Sequence, residues 1–186
     1  MATKATVFKV ALQMTDMDRQ RYQSHALTLA RHPSETDQRM MARIVAFALC
    51  SDEALEFGRG LSTDDEPDLW RRSLGGEIEL WIDLGVPDER RLRKACGRAD
   101  QVLLLCYGGR TAETWWSQNS DKLARFDNLT VVNIPTDSLA ELAQGIERNM
   151  ALECTIDGGQ LWFYRGAEPI CVTPQTWQGD LLQALE

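Results

Sequence analysis

A short apolar run near the middle of the chain limits the folds that the sequence can adopt. Residues 102–106 read Val-Leu-Leu-Leu-Cys, without a polar side chain among them. This run is far shorter than the ~20 residues that a membrane helix needs, but it suits a strand buried on both faces of a parallel or mixed sheet. Patterns with helical spacing lie on either side of it. The sequence therefore predicts a central sheet flanked by helices.

Hydrophobic periodicity and turn residues predict the other elements. The predicted strands cover residues 6–13, 22–30, 55–57, 78–84, 101–107, 129–134, 151–156, 161–164 and 170–172, and an extended piece starts at residue 68. The predicted helices cover residues 35–50, 89–99, 112–124 and 136–146. Ser34, with Asp37 three residues further on, is the expected N-cap of the first helix.

The order of these elements predicts an α/β chain, in the α+β sense, with a mixed central sheet. No linker, repeat or low-complexity segment interrupts the sequence, so we expect a single domain over residues 1–186. The last third of the chain returns to strands and is expected to form a β-hairpin or small meander. This C-terminal piece is expected to pair with the N-terminal hairpin.

The strand predicted at 78–84 alternates clearly between two kinds of residue. One face carries the aliphatic residues Ile78, Leu80, Ile82 and Leu84, and the other carries Glu79, Trp81 and Asp83. Successive side chains of a strand point to opposite faces of the sheet. We therefore expect the aliphatic face to be buried, and Asp83 to lie where a side chain can leave the core.

Composition and charge exclude several classes of protein. With 44% apolar and 26% charged residues, the chain is a packed protein rather than a disordered one. The net charge of −8, from 28 acidic and 20 basic side chains, argues against a general nucleic-acid coat protein. The N-terminus lacks an apolar signal segment, so we expect a cytoplasmic protein without a membrane partner. The five widely spaced cysteines form no Cys-x-x-Cys pair, which favours buried thiols in a reducing compartment.

Charged residues concentrate in two segments of the chain. The acidic segment contains Asp64, Asp65, Glu66 and Asp68, and the basic segment contains Arg90, Arg91, Arg93, Lys94 and Arg98. Asp68 lies at the start of a strand and Asp83 near the end of the next, so their carboxylates can converge on a magnesium ion. Such an ion activates water for the hydrolysis of a phosphate ester. The alternatives are that these acids are solvated strand-end charges, or that Glu79 on the Asp83 face is the second acid.

Three stretches of the chain carry a family resemblance. They read Leu-Thr-Leu-Ala-Arg-His-Pro-Ser-Glu-Thr over 27–36, Asp-Asp-Glu-Pro-Asp-Leu-Trp over 64–70 and Leu-Trp-Ile-Asp-Leu-Gly-Val-Pro-Asp-Glu-Arg-Arg-Leu-Arg-Lys-Ala-Cys over 80–96. With the paired Trp115-Trp116, the chain resembles the YaeQ family of bacterial proteins along essentially its whole length. That family is regarded as a variant of the PD-(D/E)XK nuclease superfamily. The resemblance implies a restriction-endonuclease-like core with helices on both sides.

The resemblance also implies a function and a set of site residues. Pro67-Asp68 would stand for the PD element and Asp83 for the acid that follows it. The implied protein is a nuclease or phosphodiesterase that depends on Mg²⁺ or Mn²⁺ and acts on DNA or another nucleic acid. Glu35 is a further candidate metal ligand, because acids of the first helix often complete the site in this superfamily. Its spacing from Arg39 and Arg43 fits ordinary ion pairs equally well.

The chain departs from the superfamily pattern where a lysine is expected, two residues after Asp83. Gly85 stands there, and some members of the superfamily supply the lysine from the next helix, which nominates Lys94. At 100° per residue, Lys94 lies about 150° from the apolar face of that helix, whereas Arg91 lies about 90° from it and could flank the site. The missing lysine favours an alternative, in which a degenerate nuclease fold acts as a binding or regulatory module without catalysis.

Overall fold

The apolar run at residues 102–106 lies inside a six-stranded sheet. The computed structural model describes residues 4–59, 65–166 and 168–186. The strands are β1 (Thr6–Asp16), β2 (Arg21–Arg31), β3 (Leu55–Phe57), β4 (Leu69–Arg72), β5 (Ile78–Leu84), β6 (Ala99–Cys106), β7 (Leu129–Asn133), β8 (Asn149–Asp157), β9 (Gln160–Tyr164), β10 (Ile170–Val172) and β11 (Gln175–Gln178). The helices are α1 (Asp37–Leu49), α2 (Glu89–Arg98), α3 (Arg110–Leu123), α4 (Thr136–Ala143) and α5 (Leu181–Leu185).

The chain divides into two compact units, which are described separately. The first unit is Met1–Glu53 with Asp137–Thr173, and the second unit is Ala54–Thr136 with Pro174–Glu186. Each unit contains a mixed sheet, so the fold is a mixed α+β fold, as the element order predicts. Within the described part of the chain, no helix is long and apolar enough to span a membrane.

The first unit contains a five-stranded sheet with the strand order β10-β9-β8-β1-β2. β1 and β2 form the predicted N-terminal hairpin, and β8 pairs with β1 in parallel. β9 and β10 extend the sheet by antiparallel pairing. The expectation that the C-terminal strands join the N-terminal hairpin is therefore confirmed.

The cap of α1 differs from the prediction. The helix begins at Asp37, and its N-cap is Thr36, whose hydroxyl accepts from the Arg39 backbone N–H at 3.1 Å. The Ser34 hydroxyl instead lies 2.6 Å from Nδ1 of His32. The prediction of Ser34 was wrong because the helix begins at Asp37 rather than at Glu35, and the residue directly before the first turn supplies the cap.

The second unit contains the six-stranded sheet, with the order β11-β7-β6-β5-β4-β3. β5, β6 and β7 are parallel to one another, and β4, β3 and β11 extend them by antiparallel pairing. Residues 102–106 are fully buried in β6, which confirms the prediction from the apolar run. β11 and α5 were not predicted, because β11 reads Gln-Thr-Trp-Gln and α5 is only five residues long.

β5 is buried on both faces, which corrects one expectation from its alternating pattern. Leu80, Ile82 and Leu84 are buried as predicted, and Ile78 is half-buried. The opposite face is also covered, because Trp81 packs into a cluster with residues of α2, β6 and α3. Asp83 lies on that covered face with 1% exposure. The prediction that Asp83 leaves the core was therefore wrong.

Burial controls the reactivity of the cysteines. All five thiols are free, and burial raises the pKa of Cys106 and Cys154 to about 12, with a further contribution from Asp16 at Cys154. A thiol with a pKa of about 12 is ionised to about one part in ten thousand at pH 8, and the thiolate is the reactive form.

We expect a thiol reagent at pH 8 to leave Cys106 and Cys154 unlabelled in the folded protein and to label both in urea. Mass spectrometry of the labelled peptides measures this, and rapid native labelling of Cys106 would contradict it.

Candidate functional site

Asp68 and Asp83 lie at the same end of the β4–β5 strand pair in the second unit. In the antiparallel pair of β4 and β5, Leu69 faces Ile82 and Trp70 faces Trp81. Asp68 directly precedes Leu69 and Asp83 directly follows Ile82, so the two acids flank the last residue pair of this register. Both residues are buried, with 8% and 1% exposure. The structure therefore places the two acids that the sequence nominated at the same end of one strand pair.

A backbone hydrogen bond fixes the Asp68 carboxylate at this position. Its Oδ2 accepts from the backbone N–H of Leu84 at 2.8 Å, and Leu84 directly follows Asp83. The backbone carbonyl of Asp68 accepts from the N–H of Gly58 in the segment after β3, at 2.9 Å. Asp68 is thus hydrogen-bonded to β5 through its side chain and to the segment after β3 through its backbone carbonyl.

Arg91 reaches Asp83 from the first turn of α2. Asp88 caps this helix by accepting from the Arg91 backbone N–H at 2.9 Å. Nε of Arg91 donates to one oxygen of Asp83 at 2.8 Å, and Nη2 donates to the other at 3.0 Å. Nη2 also donates to the backbone carbonyl of Glu66 at 3.0 Å. This two-pronged, charge-assisted pairing supplies the cation that a buried carboxylate requires.

Lys94 points away from the two acids and contacts the loop before β4. Its Nζ donates to Oδ1 of Asp65 at 2.7 Å, and both side chains are exposed, 53% for Lys94 and 81% for Asp65. The hydrogen bond from Lys94 and its positive charge lower the pKa of Asp65. This is the solvent-facing direction that the helix geometry predicts for Lys94. Asp64, the first residue of the acidic segment, lies outside the described residues.

Glu35 and Glu79 both have arginine partners. In the first unit, Arg43 donates to both oxygens of Glu35, at 2.9 and 2.7 Å, and this ion pair is buried. In the second unit, Arg71 donates to Glu79 at 3.1 Å. The ion-pair alternative for Glu35 is thus observed with Arg43. A role of Glu35 as a metal ligand stays a prediction.

Trp81 and Arg98 belong to this region, although the sequence analysis did not nominate them for it. Trp81 is 1% exposed and lies edge-on to Trp70. The guanidinium carbon of Arg98 lies 5.1 Å from the centre of the Trp81 ring, and that of Arg91 lies 6.0 Å from it. Such distances allow attraction between the cations and the ring. The seven-residue spacing of Arg91 and Arg98, which is two helical turns, was the signal that could have identified the pair.

The carboxylates of Asp68 and Asp83 have the donor chemistry that Mg²⁺ and Mn²⁺ require. Mg²⁺ often takes only one or two protein carboxylates and keeps several waters. Both oxygens of Asp83 accept from Arg91, so a divalent ion bound to Asp83 would compete with that guanidinium. The described residues contain no group of three or more His, Cys, Asp or Glu side chains that could hold a metal ion. The residues that fit a divalent ion here are thus two acids on neighbouring strands.

Gly58 allows the close approach of two segments beside Asp68. A Cβ atom at residue 58 would overlap the carbonyl oxygen of Pro67, a backbone atom that cannot turn aside. We therefore expect Gly58→Ala to push Pro67 and Asp68 out of position and to cost about 1–3 kcal/mol of stability, as overpacking does. Urea denaturation measures this loss. Gly97→Ala in α2 is the matched control, because a Cβ at residue 97 has no atom within 4 Å. Equal stability of the two variants would contradict the expectation.

The chain is similar to proteins of one bacterial family over nearly its whole length. A family model described as YaeQ protein matches residues 1–174. Two relatives, both named "Uncharacterized protein YaeQ", come from Salmonella typhi and Escherichia coli (strain K12). They are 45% and 44% identical over 178 residues, which cover 96% of this chain and 98% of each relative.

Two solved structures share the fold. The crystal structure of YaeQ protein from Xanthomonas axonopodis pv. citri has a TM-score of 0.91 and 46% identity, covering 95% of this chain and 99% of that one. The crystal structure of YaeQ protein from Pseudomonas syringae has a TM-score of 0.91 and 35% identity, covering 95% of this chain and 98% of that one. The chain therefore belongs to the YaeQ family.

Proposed function

We propose that the chain is a divalent-metal-dependent phosphodiester hydrolase, a nuclease of the PD-(D/E)XK type with a restriction-endonuclease-like core. Asp68 and Asp83 hold Mg²⁺ or Mn²⁺, the substrate is DNA or another nucleic acid, and the protein acts in the cytoplasm. The observation that carries this proposal is that two buried acids adjoin the last residue pair of β4 and β5, where the Asp68 carboxylate accepts from the backbone N–H of the residue after Asp83.

The protein's own groups have distinct roles in this proposal. A bound divalent ion would supply charge stabilisation for the phosphate and activation of a water molecule. Asp68 and Asp83 provide the oxygen ligands, and the Leu84 N–H holds Asp68 in position. Arg91 balances the charge of Asp83 in the ligand-free protein. The Arg91 guanidinium would also be the group that donates to phosphate oxygens, whose geometry it matches as well as that of a carboxylate.

Lys94 is the weaker candidate for a cation at the reacting phosphate. Its ammonium group is half-exposed and is bound to Asp65, whereas Arg91 contacts Asp83 directly. We therefore assign the cation of the reaction to Arg91 and expect Lys94 to contact more distant parts of the substrate. Removing one donor that stabilises developing charge lowers rates by ~10²–10³-fold in well-studied enzymes. The loss in Arg91→Ala should be of that size.

A binding or regulatory module without catalysis is the second candidate function. Two observations favour it. The Arg91 guanidinium donates to both oxygens of Asp83, so an arginine occupies the position that a metal ion would take. In addition, Gly85 stands where the superfamily pattern has its lysine. The two candidates differ in one measurable respect, which is cleavage of a phosphodiester.

The test is a cleavage assay on single-stranded DNA, double-stranded DNA and RNA with Mn²⁺ present. We expect the wild type to cut at least one of them and Asp68→Asn to lose at least ~100-fold in rate. Asp127→Asn is the matched control, because Asp127 is exposed and has no ion pair within the described part of the chain. Cleavage that persists in Asp68→Asn, or a wild type that cuts none of the three at any Mn²⁺ concentration, would reject the hydrolase.

A further inference from the structure

Three cations of α2 contact one short acidic segment. We call Arg91, Lys94 and Arg98 the cationic stripe, because residues three and four positions apart lie on the same side of a helix. We call Asp65 and Glu66 the acidic strap. Lys94 donates to the Asp65 carboxylate at 2.7 Å, Arg98 donates to the Asp65 carbonyl at 2.9 Å, and Arg91 donates to the Glu66 carbonyl at 3.0 Å. Each member of the stripe therefore has an oxygen of the strap as a partner.

The Asp65 contact does little for the stability of the fold. The Asp65 side chain is 81% exposed and that of Lys94 is 53% exposed. Exposed ion pairs contribute little to folding, because both groups are well solvated when they are separated. The interaction nevertheless keeps an anionic oxygen on the stripe. A carboxylate in this position takes one of the three N–H donors of the Lys94 ammonium and offsets its positive charge, and an incoming anion would compete for both.

The stripe borders a surface that suits a phosphodiester chain. A cavity of about 350 Å³ beside it is lined by Asp88, Arg90, Arg91 and Lys94. Arg90 and Arg93 are exposed on the same helix and form no ion pair among the residues that the structure describes. This concentration of positive charge stands out in a chain whose net charge is −8. Nucleic-acid strands carry one charge per ~3.4 Å of axis, so one strand can contact several of these cations together.

We propose that Asp65 is a built-in competitor, which occupies the cationic stripe in place of a phosphate of the substrate and so lowers the affinity of the site. The proposal rests on the proposed function in one respect, that the ligand of this site is a phosphodiester chain. It adds a mode of regulation, since any change that removes the Asp65 charge strengthens binding. Loss of the Asp65 charge leaves the hydrogen bonds of Arg91 and Arg98 to backbone carbonyls in place. The gain in affinity therefore depends on Lys94, the residue that contacts the carboxylate.

The experiment measures binding without cleavage. The probe is a short fluorescein-labelled oligothymidylate, and its anisotropy is followed in EDTA at low salt. We expect Asp65→Asn to bind the probe roughly two- to fivefold more tightly than the wild type, the range expected when one exposed ion pair no longer competes. Asp127→Asn changes the net charge by the same amount elsewhere in the second unit and should bind like the wild type. In a Lys94→Ala background, Asp65→Asn should have no effect.

Three results would overturn the proposal that Asp65 is a competitor. They are equal affinities of Asp65→Asn and Asp127→Asn for the probe, a gain in affinity from Asp65→Asn that persists in the Lys94→Ala background, and no binding of the probe by any variant. Because no divalent ion is present, the outcome is separate from that of the cleavage assay. Tighter binding by Asp65→Asn together with no cleavage by the wild type would support the competitor and reject the hydrolase. Cleavage by the wild type, together with no gain in probe affinity in Asp65→Asn, would support the hydrolase and reject the competitor.

Discussion

Arg91→Ala should destabilise the protein by about 3 kcal/mol, because it leaves the Asp83 carboxylate buried without its cation. The Asp83 side chain is 2% exposed, and Arg91 supplies a donor to each of its oxygens. Breaking a buried ion pair from one side costs ~3–5 kcal/mol. We expect the lower end of this range, since Arg91 is itself 26% exposed and water can enter the space it leaves. The free energy of unfolding in urea measures the loss.

Two further variants separate this cause from a general effect of losing an arginine. Arg90→Ala removes the neighbouring exposed arginine and should change stability by less than about 0.5 kcal/mol. Arg91→Ala combined with Asp83→Asn removes the buried charge as well and should recover at least half of the loss. If the double variant is no more stable than Arg91→Ala alone, the buried charge of Asp83 is not the cause.

Leu80→Ala should cost roughly 2–5 kcal/mol, the range for deleting a leucine side chain in a packed core. Leu80 has 0% exposure in β5, between β4 and β6 of the six-stranded sheet. The loss comes from the transfer of its side chain and from the cavity that remains. Leu74→Ala is the matched control, because Leu74 is fully exposed. A loss of less than half a kcal/mol for Leu80→Ala in chemical denaturation would contradict the assignment of this face to the core.

The regular elements could be predicted where periodicity alone determines them. Residues 102–106 and the aliphatic face of β5 are apolar at every relevant position, and all of these residues are buried as predicted except Ile78, which is half-buried. β11 could not be predicted, because Gln175–Gln178 has no apolar alternation and becomes a strand by pairing with the edge of β7. Pairing of this kind depends on a distant segment of the chain, and no local pattern records it.

The candidate site could be predicted only in part for a similar reason. The nomination of Asp68 and Asp83 depended on two neighbouring strands, and the antiparallel register of β4 and β5 then places both acids at the same end of the pair. The burial of Asp83 could not be read from its strand, because it depends on residues of α2, β6 and α3 that pack on the same face of β5. The contact of Lys94 with Asp65 spans 29 residues, and helix geometry indicated only that Lys94 faces solvent.

The most direct test of the shared metal site is a calorimetric titration of the ligand-free protein with Mn²⁺. We expect the wild type to bind one Mn²⁺ ion. Loss of a residue that only supports a metal ligand lowers affinity by ~10–100-fold, so Asp68→Asn, which removes a ligand itself, should weaken the affinity by more than that. Asn keeps an acceptor for the Leu84 N–H, and it removes repulsion between neighbouring carboxylates. The ligand-free variant should therefore be as stable as the wild type or more stable, while Asp127→Asn should bind Mn²⁺ like the wild type. Equal Mn²⁺ affinities of the wild type and Asp68→Asn, or no binding by the wild type, would contradict a metal site shared by Asp68 and Asp83.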